Sequence, residues 1–179
     1  MRAYKVLRDG RSEFTGVRWP LPDADRPGAW VRATGPIALC VNGIHASTPE
    51  QLPHWLGTDL WEIELGGDIL VDEAALVASQ ARLLRRVDAW DETTRGRFCE
   101  ECLERTRELA DGYPAGVGLV TKVEHALSWA GAAPAGYFTA MLAGERDSGA
   151  RAGPDYDAAF LRERARQARW LRNQLDLIG

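Results

Sequence analysis

Hydrophobic positions divide the chain into two zones of different period. From residue 1 to 88 they come in short runs broken by glycine and proline. From 89 to 179 they recur every three or four positions among Ala, Leu, Glu and Arg. In the first zone, Ala3-Tyr4-Lys5-Val6-Leu7 predicts a strand. Ile37 to Val41 reads as a short buried strand. Leu60 to Leu65 is the clearest, with Trp61, Ile63 and Leu65 on one face and Glu62 and Glu64 on the other. Gly66-Gly67 suits a two-residue hairpin turn, after which Asp68 to Val71 would return antiparallel. Arg82 to Val87 is a further strand, while 73–79 fit helix or strand equally well. Residues 9–36 contain Pro20, Pro22, Pro27 and Pro36, which exclude a central strand or a long helix. Trp19 and Trp30 within that stretch argue for an ordered, packed loop. Thr48 as N-cap and Pro49 at the first helical position open a helical turn carrying Leu52, Trp55 and Leu56.

In the second zone, Asp91 is a good N-cap for a long helix reaching Ala110. At 100° per residue its apolar face gathers Phe98, Cys99, Cys102, Leu103, Thr106 and Leu109. Gly112 and Pro114 end it. A second helix is expected over 119–130, and Pro134 starts a third. Residues 144–155 read as a mobile loop. A last helix over 156–177 has a stripe of Phe160, Leu161, Ala165, Ala168, Leu171 and Leu175. Trp170 lies off that stripe, so it must meet another element or a partner. Strands first and helices afterwards give an α+β class. The expectation is a small, mainly antiparallel sheet in the N-terminal half (1–88) packed against a helical bundle in the C-terminal half (89–179), with Trp90 joining them as one unit.

Length and charge narrow the function. The 179 residues suit one domain or one with an appendage, and 45% apolar content supports a real core. The net charge of −4 argues against a general nucleic-acid binder. No apolar run is long enough to cross a membrane, and the first residues carry no leader pattern, so a cytoplasmic protein is expected. Arginine outnumbers lysine 20 to 2 and alanine reaches 26. That bias reflects a GC-rich bacterial genome, so abundant arginine is weak evidence for an anion site. Three cysteines, Cys40, Cys99 and Cys102, are too few and too odd for a disulfide framework.

The densest chemistry is Cys40-Val-Asn-Gly-Ile-His45-Ala-Ser-Thr, followed by His54-Trp55. A strand ending in Asn-Gly, then a histidine and a helical turn, forms a plausible pocket wall, with His45 as general acid or base. In that reading Arg18 anchors an anionic group, Trp19 and Trp55 stack on a planar ligand, and His54 lines the wall. The plainer reading gives His45 a structural hydrogen bond to its own loop. Cys99-Glu-Glu-Cys102 is a CxxC on an apolar helix face, where cysteine behaves as a small hydrophobe; whether it and Cys40 bind metal stays open. Glu62 and Glu64 pair on one strand face, as carboxylates sharing a proton would, or as a solvent-facing side. Arg82, Arg85 and Arg86 resemble a basic patch, but Arg86 should face opposite to Arg85. There is no GxGxxG, P-loop, HExxH or GxSxG, and no cofactor or metal is assigned.

The runs from Cys40 to Ala46, Leu52 to Trp55, Leu60 to Leu70 and Ala81 to Val87 resemble an uncharacterised domain family of actinobacterial and phage-associated proteins. Its mark is a Gly-x-His-Ala turn before a Trp-Glu-x-Glu strand. The resemblance spans about residues 1–90 and implies no particular activity. Glu163 to Leu171 is similar to the last helix of alanine-rich actinobacterial immunity proteins. Tyr4, Arg8, His45 and Glu64 suggest a more distant, fold-level analogy to ADP-ribosyltransferases, although the spacing departs from theirs. Two expectations follow. One is a non-enzymatic interaction module in phage-related or toxin–immunity biology. The other is a small enzyme with a His45-centred pocket for an anionic or planar molecule. The partner is a protein or a small molecule.

Overall fold

A computed structural model describes residues 1–13, 15–129 and 131–177. Phe14 in the proline-rich loop, Ala130 at the end of the expected second helix, Ile178 and Gly179 lie outside the described residues. The protein is α+β. It divides into two compact units, Met1–Trp90 and Asp91–Leu177. The boundary follows Trp90 because that side chain is buried in the first unit, its indole N–H donating to Gly57 O at 2.9 Å. Asp91 begins the second unit as a cap, accepting from Thr94 N at 2.7 Å.

The first unit contains β1 (Arg2–Arg8), β2 (Arg11–Ser12), β3 (Val31–Arg32), β4 (Ile44–Ala46), β5 (Asp59–Val71) and β6 (Leu76–Arg86). Their order is β2-β1-β5-β6-β3, with β4 also pairing to β6. All pairs are antiparallel. Ser47 and Tyr4 exchange two backbone hydrogen bonds of 2.8 Å. The end of β4 therefore reaches β1 and the sheet curls round on itself. Ala3, Leu7, Trp19, Ile44, Ala46, Trp61, Ile63, Leu65, Leu76, Ala78, Ala81 and Leu83 fill one face of the curl. The alternation of Trp61, Ile63 and Leu65 built this face as expected.

Several local expectations are corrected. Gly66-Gly67 is a bulge rather than a hairpin turn. The strand continues through it, with Gly66 opposite Gln80 and Ile69 opposite Ala78. Gly67 sits at φ +69°, and a Cβ there would lie 2.1 Å from Ser79 Oγ. Gly66 lies beneath the Trp30 ring, where a Cβ would approach within 3.2 Å. The hairpin closes later, at Asp72–Ala75, so 76–79 are strand and 73–75 turn. Ile37 to Val41 is a turn, bridged by Ala38 and Asn42, and the strand begins at Ile44. The helical turn near Thr48 is a 3₁₀ turn over Leu52–His54, because the Gln51 side chain folds back to accept from Thr48 N.

The second unit contains α1 (Glu92–Ala110), α2 (Val117–Ser128), α3 (Ala132–Ser148) and α4 (Pro154–Leu175). The buried face of α1 is the expected set, Phe98 to Leu109. Residues 144–148 are the end of α3 and not loop; only 149–153 connect it to α4, with Gly149 at φ +67°. Gly144 lies beneath the Tyr156 ring, so α3 and α4 meet where no side chain intervenes. The buried face of α4 keeps Ala168, Leu171 and Leu175 of the expected stripe but departs from it towards the N-terminus. Leu161 is 40% exposed and Ala165 exposed, while Glu163, Arg164 and Gln167 are buried. Trp170 meets Phe98 edge-on at 5.4 Å, which satisfies its position off the stripe within the unit.

Candidate functional site

The Cys40–His45 segment is a tightly built turn. Asn42 and Ala38 exchange backbone hydrogen bonds of 2.8 and 3.0 Å. The Asn42 amide donates to Thr34 O and Pro36 O. Gly43, at φ +126°, passes so close to Val77 that a Cβ would lie 2.4 Å from its Cγ1. His45 Nε2 accepts from the Cys40 amide at 3.2 Å, and the ring also hydrogen-bonds to the Gly43 backbone. The imidazole thus serves the turn. Burial first, and the Lys5 charge second, hold the imidazole pKa below its usual value, so the ring is neutral at pH 7 and fit to accept. The outcome is a braced loop that holds Leu39, Cys40 and Val41 in solvent, with Val41 82% exposed.

Lys5 is the group that sequence reasoning passed over. On β1 it shares the face of Ala3 and Leu7 and reaches across the curl, donating from Nζ to His45 O at 2.9 Å. Its ammonium lies 5.0 Å from the centre of the Trp19 ring. Burial pulls its pKa down to about 8. The signal was present: one of only two lysines, at an inward position of an apolar strand.

The other proposed pocket residues do not all converge. Trp19 is 4% exposed and its indole donates to Ser12 Oγ at 2.8 Å. It is a packed residue that closes over Lys5. Trp55 instead donates to Ala74 O at 2.6 Å, against the β5–β6 hairpin turn. Arg18 is exposed and His54 half-buried.

Glu62 and Glu64 form ion pairs with Arg85 and Arg82. Simple alternation would put Arg82 and Arg85 on opposite faces. A register shift sets Ile63 opposite Leu83 while Glu62 faces Arg85, and so brings both arginines to the glutamate side. Arg86 pairs with Asp59 at 2.7 Å. The suspected basic patch is therefore a row of neutralised pairs, and Glu62 is buried rather than solvent-facing. Burial raises the thiols of Cys99 to about 11 and Cys102 to about 12, leaving both protonated, while Cys40 is exposed. Among the described residues, no three His, Cys, Asp or Glu side chains gather as metal ligands would.

In the helical unit, Glu101, Glu104, Arg105, Glu108 and Arg166 line an open hollow of about 330 Å³ between α1 and α4. Its charges answer one another. Arg166 bonds Glu101 at 2.6 Å and Glu163 at 2.9 Å, and Arg105 bonds Glu163 at 3.3 Å and Glu108 at 3.0 Å. Among the described residues, no helix is long and apolar enough to cross a membrane.

No family model, curated protein or solved structure matches this chain.

Proposed function

We propose that the Met1–Trp90 unit is an interaction module that presents the Leu39–Val41 turn to a protein partner. One observation carries the reading. The turn spends the Asn42 amide, a backbone pair and the only imidazole it contains on holding apolar side chains outward. An apolar residue held rigidly in water is poorly explained by folding alone and well explained by recognition, where preorganisation lowers the entropy cost of binding. Of the partner classes, a toxin or phage protein is the one the sequence resemblances suggest. The test is a photo-crosslinking residue at position 41 in the native host. A discrete adduct that disappears when Leu39→Asp is added beside the crosslinker supports the module; a folded protein that yields no adduct overturns it.

The enzyme reading draws on one observation, the Lys5 ammonium beside the His45 carbonyl and Trp19. It requires the imidazole to leave both its hydrogen bonds and Trp19 to leave its packed site.

A further inference from the structure

Strand β5 is thirteen residues long, but β1 covers only part of its outer edge. Pairing with β1 runs from Asp59 to Glu64, and Met1 adds the backbone contact to Leu65. Beyond that point β6 holds one side of β5 as far as Val71. Among the described residues, none pairs with the other side over Asp68–Val71. Its alternate N–H and C=O groups face outward, as on any edge strand. The bulge at Gly66-Gly67 separates this segment from the covered part, and Ser79 Oγ accepts from Asp68 N. The segment bears Leu70, 39% exposed, and Val71, 70% exposed.

The charge around the edge is one-sided. Asp68, Asp72 and Glu73 flank it, all exposed. None of them has a basic partner within ion-pair distance among the described residues, whereas Glu62, Glu64 and Asp59 further along β5 each have an arginine. A second copy of the chain fits poorly. Antiparallel self-pairing centred on Leu70 would place Asp68 opposite Asp72 of the other copy, and like charges directly opposite destabilise a sheet.

We propose that this edge accepts an extended segment of a partner protein as an added strand, apolar at alternate positions and flanked by lysine or arginine. The backbone row supplies affinity, Leu70 on one face of the strand and Val71 on the other supply contact to the partner's side chains on each face, and the acidic flanks select a basic partner and set its register. This rests on the reading of the unit as an interaction module but places a second surface away from the Leu39–Val41 turn.

The probe is a fluorescent peptide, acetyl-Lys-Arg-Val-Thr-Val-Thr-Val-Arg-Lys-amide, titrated with the whole protein and followed by anisotropy. Binding should weaken about tenfold in the Asp68→Lys, Asp72→Lys double variant, whose altered side chains are exposed. A peptide N-methylated at alternate residues along one edge should lose binding, while methylation of the other edge should leave it intact. That contrast separates strand addition from charge attraction without altering the protein. Equal binding of both methylated peptides, or no binding of the parent, overturns the proposal. In either case an adduct from position 41 would still stand, so the two ideas fail separately.

Discussion

Lys5→Met tests the interior of the curled sheet most directly. In the unfolded chain the ammonium keeps its proton to about 10.5; in the folded protein burial brings this down to about 8. At about 1.4 kcal/mol per tenfold change in proton affinity, keeping that charge inside costs about 3 kcal/mol at neutral pH. The unfolded state binds more protons between the two values, so wild-type stability should climb with pH across that window. Methionine has no such dependence. Against it stand the lost hydrogen bond to His45 O and the lost contact with the Trp19 face, each worth about 1 kcal/mol. At pH 7 the variant should therefore lie near or slightly above wild type. The informative quantity is the difference between the two proteins in urea unfolding, measured from pH 6 to 10.5. The variant's relative stability should be level below pH 8 and then fall by up to about 3 kcal/mol as wild type recovers. Shared titrations cancel in the difference. A flat difference across pH 7 to 10 would mean that Lys5 sits in water, and would refute both its burial and its role in shaping the His45 turn.

Four further outcomes follow from the same geometry. A native thiol titration at pH 8 should count one reactive cysteine, Cys40, and three in denaturant, because burial keeps Cys99 and Cys102 protonated. His45 has a lowered folded pKa, so its contribution is complete above its unfolded value and declines as pH falls below it. Amide exchange at Cys40 should accelerate, beyond the intrinsic rate, as the pH falls below the ordinary imidazole range and the ring protonates and stops accepting. Gly67→Ala should cost about 2 kcal/mol or more in denaturant unfolding, since it combines positive φ with a clash at Ser79 Oγ. Asp91→Ala removes the α1 cap and should cost about 1 kcal/mol; an unchanged midpoint would show that the cap is redundant.

Much of the sheet was readable because a buried strand face imposes a period of two. Residues 60–65 announce both their strand and its inward face, and the α1 face from Phe98 to Leu109 follows as directly from a period of 3.6. What escaped were the places where glycine has more than one use. Gly66-Gly67 has the composition of a turn, yet it makes a bulge and a platform for Trp30, and only the distant residues Ser79 and Trp30 decide between these. The strand expected at Ile37–Val41 failed for a related reason. Leu39, Cys40 and Val41 are held outward in a turn braced by Asn42 and His45, which no alternation count can foresee. Of the candidate site, the role of His45 in bracing its own loop was readable from its neighbours. Its link to Lys5 was not, because that contact spans forty positions.

Helix α4 shows where periodicity stops being informative. Its expected stripe holds at Ala168, Leu171 and Leu175, but the packing face also takes in Glu163, Arg164 and Gln167, which an apolar pattern leaves out. Glu163 sits between Arg105 of α1 and Arg166 of its own helix, so its charge is matched on both sides. Arg164 lies 5.8 Å from the Tyr137 ring and 5.5 Å from the Phe160 ring, and its guanidinium bonds Gln167, which in turn donates to Gly136 O at 2.9 Å. A Cβ at Gly136 would come within 2.8 Å of Gln167 Oε1 and so displace the Gln167 amide from this bond. Two links of this chain cross from α4 to α3, Gln167 to Gly136 O and Arg164 to the Tyr137 ring, and both depend on the register of the two helices. Sliding either helix would take Tyr137 from the buried Arg164 cation or leave the buried Gln167 amide without its Gly136 acceptor, at about 1–3 kcal/mol for each buried group left unpaired. Leucines in the same positions would pack with less regard to register. The polar face thus makes the α3–α4 pairing specific, and that specificity is why a hydrophobic stripe alone misplaced it.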